Sequence, residues 1–296
     1  MLRLCLALAA SCFMIAAHAA EPGSNVYETP VQVFNDAIRQ AIGGPGKADL
    51  GEDVTVRLAE GQLLVPNPRA QQLLRLTGRS VPKDLIGLLM DGNGMDLPGL
   101  IRFVPAGFVD ADAITGWRPA DFLASLNDSL DRMNAERRKQ NQHPLLARGW
   151  VWPPHYDRDR HLLSWAALIL PDNAPRGSDG AVAYYAVALG RDGFVELSFI
   201  ASVEKADSIA SMSNAFLNGL QFRAGKQYGD VTPTDKRADG GIAGVMGIDA
   251  FRRARGRSFW STDAIIPAAG AFAVVVGAIS LLFYTQRAMR RRARRA

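Results

Sequence analysis

The stretch GWVWPPHYDRDRHLLSWA, from Gly149 to Ala166, gathers the residue types that could do chemistry. It holds two of the chain's four histidines, His155 and His161, and three of its five tryptophans, Trp150, Trp152 and Trp165. His143 lies just upstream, His18 falls in a removable leader, and Asp157 and Asp159 sit among the histidines. A metal centre needs about three converging ligands at tight distances. His155 and His161 are six residues apart with a turn between them, which is neither an i, i+4 helical pair nor a pair on one strand face. No metal is expected here. Asp157 and His161 are the minimum for an acid–base pair in an envelope hydrolase or transferase. No glycine-flanked serine nucleophile accompanies them, and Ser164 is one strand residue among apolar neighbours.

A packed hairpin accounts for more of these residues. Trp150 and Trp152 are expected on opposite sides of one strand, with Trp165 on its partner, where large rings supply buried area. A buried His161 would hydrogen-bond the turn, and Asp157 and Asp159 suit a turn because their side chains cap backbone amides. A third reading keeps Trp152 and Tyr156 exposed as a platform for a sugar or peptide. The binding candidates are therefore Trp150, Trp152, Tyr156 and Trp165.

The elements that would position them form an antiparallel meander. Strands are predicted over Ala147 to Trp152, then HLLSWAALIL, AVAYYAVAL and FVELSFIAS, with PPHYDRDR as the first connecting loop and Gly190–Gly193 as a tight turn. Upstream, RPADFLASLNDSLDRMNAERRKQNQH places Phe122, Leu126, Leu130 and Met133 on one helical stripe and ends before Pro144. Downstream, EKADSIASMSNAFLNGL repeats helical spacing at Ile209, Met212, Phe216 and Leu220. Nearer the start, VQVFNDAIRQAIGG reads as a helix, DVTVRLAEGQLLVP as a hairpin around Glu60-Gly61, PRAQQLLRL as a short helix, and DLIGLLMDGNGMDLPGLIRFV as strands broken by turns. The fold class is α+β: an antiparallel meander of four or more strands packed by helices.

The ends of the chain speak to location. Residues 1–19 combine Arg3, an apolar run from Leu4 to Ala17 and a small-x-small site at Ala17-His18-Ala19, the pattern of a secretory signal peptide. As a helix that run spans about 21 Å, short of the roughly 30 Å hydrocarbon core. Ile265 to Tyr284 is an uncharged stretch long enough for one bilayer crossing, and the tail 285–296 carries six arginines, which the positive-inside rule places in the cytoplasm. Between them lie an exported domain over 20–240 and a glycine- and arginine-rich juxtamembrane linker over 241–264. The expectation is a single-pass protein of the bacterial inner membrane, its main domain periplasmic.

Charge and cysteine content narrow the functions. Arg3 and the tail arginines account for seven of the 34 basic residues, and all 29 acidic residues lie in the middle, so the exported part is near −2. The basic balance belongs to the ends and is no nucleic-acid footprint. Both cysteines, Cys5 and Cys12, lie in the leader, so the mature chain has no thiol for nucleophilic, zinc-binding or redox chemistry. No motif implies a cofactor. The expected partners are the bilayer, through the C-terminal helix, and an envelope protein or glycan.

The segment NAERRKQNQHPLLARGWVWPPHYDRDRHLLSWA resembles the core of a bacterial family of membrane-anchored proteins known by the label domain of unknown function 2167. The residues carrying the likeness are Asn134, Glu136, Arg137, Gly149, Trp150, Pro153, Pro154, Tyr156, Asp157, His161, Leu163, Trp165 and Ala166. YYAVALGRDGFVELSFIA resembles its strand–turn–strand unit. LQFRAGKQYGDVTPTDKRADGGIAG resembles its closing segment through Phe222, Gly225, Tyr228, Pro233, Asp235 and Lys236. The likeness runs from about Gly99 to Gly244. His143 and His155 fall at positions that pattern leaves free, so His161 alone is a patterned histidine. The resemblance implies location and fold and brings no reaction. The function expected is a membrane-anchored envelope protein, a non-catalytic binding or interaction module, with the Asp157–His161 hydrolase or transferase as the alternative.

Overall fold

The computed structural model describes residues 29–76, 81–92, 98–111, 118–175 and 177–238. Thr29 starts the first helix, α1 (Pro30–Arg39): its hydroxyl accepts from the Gln32 amide while the Gln32 side chain accepts from the Thr29 amide, a reciprocal cap. A two-residue strand β1 (Ile42–Gly43) follows, then β2 (Gly46–Leu50), β3 (Val54–Leu58), β4 (Gln62–Pro66), α2 (Arg69–Leu76), β5 (Leu85–Asp91) and β6 (Gly99–Val104). The long helix α3 (Pro119–Lys139) leads into the meander of β7 (Leu145–Asp157), β8 (Leu162–Pro171), β9 (Ala181–Leu189) and β10 (Phe194–Ser202). The described chain closes with α4 (Ala206–Gly219) and β11 (Leu220–Phe222).

Eight strands form one antiparallel sheet in the order β1-β4-β5-β6-β10-β9-β8-β7, and β11-β3-β2 form a second. The molecule is thus α+β, with three layers. On one face of the large sheet, α3 covers the β7–β9 end through Phe122, Leu126 and Leu130, and α1 with α2 covers the β4–β6 end through Val33, Leu73 and Leu74. The small sheet and α4 cover the other face through Val54, Val56, Ile209 and Phe216. Because both faces are covered, β9 is buried at every residue, which is why AVAYYAVAL reads as a continuous apolar run. Its residues alternate between the two cores, Ala183 and Tyr185 toward α3, Tyr184 and Ala186 toward the small sheet.

Two expectations are revised. The run around Glu60-Gly61 is not a hairpin. β3 pairs with β2 and β11, whereas β4 pairs with β1 and β5. Alternating apolar residues suit either sheet, and β3's apolar face is completed by β11, far along the chain, a pairing no local pattern encodes. At the crossing, Gln62 ties down the bend, its side-chain oxygen accepting from the Ala59 amide at 2.9 Å and its nitrogen donating to the Met212 carbonyl at 2.9 Å.

The segment PPHYD is strand, not loop. β7 is an edge strand, so Pro153 and Pro154 can sit where no ladder donor is required, at an irregularity between Trp152 and His155. The tryptophans do face opposite ways, but through a bulge. Residues i and i+2 of a regular strand share a face, and here the register shifts so that Trp150 opposes Ala167 while Trp152 opposes Ala166. Ala167 belongs to the α3 core and Ala166 to the small-sheet core.

The open edge of β7 is closed by side chains. Asn134 of α3 donates to the Leu145 carbonyl and accepts from the Leu145 amide, both at 2.8 Å. Two helical turns earlier, Asn127 repeats the pattern on Ala147 at 3.1 and 2.8 Å. The two amides stand in for a neighbouring strand, and an exposed edge is otherwise a template for unwanted pairing.

Among the described residues no helix is long and apolar enough to cross a membrane. The leader, the linker over 241–264, the span over 265–284 and the arginine tail all lie outside the described residues.

Candidate functional site

The turn joining β7 to β8 is built by its own sequence. One carboxylate oxygen of Asp157 accepts from the amides of Asp159 and Arg160, each at 3.1 Å, the backbone cap expected of aspartate in a turn. His161 closes the turn at φ 49°, in the left-handed region. Its carbonyl accepts from the Leu189 amide at 2.9 Å, which docks the turn against the end of β9. Its Nδ1 lies 3.2 Å from the Tyr156 hydroxyl. His161 and Asp157 therefore share a turn, but each has another partner: the aspartate holds backbone, the histidine meets a phenol.

The imidazole stacks on Tyr228, ring centres 4.0 Å apart. That phenol is itself fixed, its hydroxyl donating to the Val109 carbonyl and accepting from the Ala111 amide, both at 3.1 Å, while Phe108 packs on it at 4.7 Å. Around this stack opens a shallow cleft of about 380 Å³, lined by Arg160, His161, Leu189, Gln221, Phe222, Gln227 and Tyr228. Turn, sheet end and closing segment, distant in sequence, meet there.

The closing segment is strapped down by charge. Arg191, in the β9–β10 turn, forms a two-pronged pair with Asp235 at 2.7 and 2.8 Å. That pairing, with the Thr232 amide and hydroxyl, holds the Asp235 carboxyl far below the usual carboxylate range. Gly190 is required where Phe222 crosses it, since a Cβ there would lie 2.4 Å from the ring. Gly190→Ala is expected to cost about 1–3 kcal/mol through overpacking, read as a lowered thermal midpoint.

Burial lowers the His161 pKa, against the opposing pull of Asp157 and Asp159. A native ring that resists protonation leaves the unfolded chain binding the extra proton. Stability is thus fully present above the unfolded value of about 6.5 and declines as pH falls through it. His161→Asn, a residue that tolerates the left-handed region, should flatten the thermal midpoint between about pH 7.5 and pH 5.5 relative to the parent. An unchanged slope would sink the assignment.

The tryptophans lie elsewhere. Trp165 is 5% exposed, edge-on to Phe122 at 5.3 Å and stacked on Tyr185 at 5.2 Å. Half-buried Trp150 stacks on Phe122 at 5.4 Å and donates its indole N–H to the Pro119 carbonyl at 3.3 Å. Both pack under α3. Trp152 is half-buried on the opposite face, edge-on to Tyr184 at 6.4 Å. Tyr156 alone of the four adjoins the cleft, through its bond to His161. His155 is exposed on the edge strand, and His143 sits at the far end of the hairpin, 3.3 Å from Asp172. No group of three or more potential metal ligands occurs among the described residues.

Sequence reasoning missed two features. Phe222 and Tyr228 stood in the closing segment, but nothing local paired them with His161. The second is a buried ionic cluster on the α-covered face. Arg102 of β6, 1% exposed, pairs with Asp84 at 2.8 and 2.5 Å and with Glu196 of β10 at 3.2 Å. The two strand residues face each other across the ladder. Burial pushes the Glu196 carboxyl up, against the pull of Arg102. Arg102 stays above its ordinary value: burial alone would lower it, and the two carboxylates outweigh that.

Fold and site define an α+β protein with a large antiparallel sheet closed by a strapped C-terminal segment. The chain belongs to the DUF2167 family, described as a protein of unknown function, whose profile matches residues 42–256. No curated protein matches the sequence. Among solved structures it is similar to the solution structure of cyanobacterial PsbP (CyanoP) from Synechocystis sp. PCC 6803, with 10% identity and a TM-score of 0.35, covering 62% of this chain and 97% of that one.

Proposed function

We propose that the exported part is a non-catalytic binding module of the bacterial cell envelope, with the cleft beside His161 as its recognition site. One observation carries this reading: the rings of Phe222, Tyr228 and His161 and the side-chain amides of Gln221 and Gln227 line one open cleft. Aromatic faces bind the apolar side of a ligand while a few placed polar groups orient it. Asp157 is committed to two backbone amides, which favours binding over the Asp157–His161 acid–base alternative. The ligand class is an envelope glycan or a protein segment. Nucleic acid is not proposed, since the exported part is near −2.

The proposal includes an anchor: residues 265–284 span the inner membrane once, the main domain lies in the periplasm, and the arginine tail lies in the cytoplasm. Holding the module at the bilayer raises its local concentration on nearby ligands. Reporter enzymes active only in the periplasm or only in the cytoplasm, fused after Ala296, test the orientation. A periplasmic C-terminus would refute it. For the cleft, full-length protein in detergent is sedimented with purified peptidoglycan sacculi. Co-sedimentation is expected, together with its loss in a Gln221→Ala variant, at an exposed position, of unchanged thermal midpoint. Equal sedimentation of parent and variant would remove the cleft from the reading.

A further inference from the structure

The residues lining the cleft share a chemical bias. Arg160 supplies a guanidinium, Gln221 and Gln227 supply amide donors, and no acidic side chain is among them. His161 adds a polar ring edge: the Tyr156 phenol lies against Nδ1, and the tautomer in which it donates there carries the ring proton on Nε2. Nε2 makes no hydrogen bond to any described residue, and burial favours the neutral ring. The ring cannot swing freely, because Tyr156 holds one edge and Tyr228 one face. Nor can Tyr228 move aside, its hydroxyl being bonded on both sides to backbone. Of the two carboxylates that act on the ring, Asp157 is engaged by the two backbone amides it accepts, and Asp159 lies exposed to solvent.

Resting on the binding reading above, we infer that the cleft takes an anionic saccharide, its carboxylate or phosphate held between Arg160 and His161 and its sugar ring laid against Phe222 and Leu189. The guanidinium supplies charge and a two-donor fork, which suits a carboxylate or phosphate better than a hydroxyl. The imidazole N–H sets the position of that group along the cleft. The amide of Gln221 both donates and accepts, as sugar hydroxyls require, while Gln227, whose side-chain oxygen caps the Asp230 amide, keeps its N–H groups as donors. Leu189 and the Phe222 ring receive the C–H side of the sugar. A neutral glycan would satisfy the rings and amides but leave Arg160 without its acceptor.

The test uses full-length protein in nanodiscs of zwitterionic lipid and four soluble probes: trigalacturonate, its fully methyl-esterified form, glucose 6-phosphate, and inorganic phosphate alone. Binding is followed by calorimetry or by NMR of the His161 ring. Esterification is expected to weaken trigalacturonate binding about tenfold or more, the loss of one charge-assisted contact. Arg160→Gln, an exposed position, should weaken the acid by the same factor and leave the ester unaffected. Affinity for the acid should fall with added salt. The two saccharide arms decide whether the cleft prefers a carboxylate or a phosphate, and free phosphate should bind more weakly than either. Equal binding of acid and ester, with Arg160→Gln indifferent, would overturn the inference while leaving the binding module standing. Failure of every probe, acid and ester alike, would overturn the inference, and if sacculi also failed to bind, the binding reading would fall with it.

Discussion

Arg102→Met is expected to lower the unfolding free energy by about 3–5 kcal/mol, because it leaves the carboxylates of Asp84 and Glu196 facing each other without the cation between them. The side chain is 1% exposed, so water does not replace it. The loss should depend on pH in a defined direction. Burial already holds Glu196 above its ordinary value, and removing Arg102 raises it further. A carboxyl whose native pKa exceeds its unfolded value binds more protons folded than unfolded, so its contribution to stability falls as pH rises past about 4.3. The variant should therefore approach the parent most closely in acid and fall furthest below it at neutral pH. Urea unfolding of the full-length protein at two pH values, followed by pulse proteolysis, reads this directly. Adding Asp84→Asn and Glu196→Gln to the variant should recover about half of the loss, since an uncharged cluster has no unpaired ion to bury. A pH-independent loss would show that Arg102 acts through packing alone.

Asn134→Ala should be the next most damaging change. The side chain is fully buried and satisfies both the amide and the carbonyl of Leu145. Truncation leaves two buried backbone groups without partners, at about 1–3 kcal/mol for each group, so a loss of about 2–4 kcal/mol follows. Asn127→Ala removes the same kind of contact at a half-buried position, where water reaches the strand edge, and should cost about 1 kcal/mol. Hydrogen exchange gives the specific signature: in Asn134→Ala the Leu145 amide should lose protection well before the amides of β9. If the Leu145 amide kept its protection, the asparagine would not be closing the edge. A freed β7 edge also favours edge-to-edge association, so light scattering should rise for Asn134→Ala and not for Trp150→Phe.

Much of the fold was legible in sequence because it follows from period. The 3.6-residue stripe of Phe122, Leu126 and Leu130 becomes the buried face of α3, and the successive strands from HLLSWAALIL to FVELSFIAS become β8, β9 and β10. Turn chemistry was legible too, since Asp157 caps the turn it occupies. The site was only half legible. His161 stood out by type, yet the partners that shape its cleft, Phe222 and Tyr228, lie more than sixty residues away, and no spacing rule connects them. Nor did any local signal relate Arg102 to Glu196, because a charged residue in an apolar strand reads as a solvent-facing position until its neighbour is known. The bulge at Val151 escaped for a similar reason: a register shift exists only between two strands.

Sequence by itself determined the class of the fold, the identity of most helices and strands, the family, and which histidine belongs to a turn, because these depend on residues close together in the chain. Only the tertiary structure decided that β3 and β4 part into different sheets, that Asn127 and Asn134 stand in for a ninth strand, that Arg102 is buried between two carboxylates, and that His161 rests on Tyr228. Each of these is a pairing between distant segments. Its energy comes from removing particular groups from water together, and that is settled by which surfaces meet when the sheet closes.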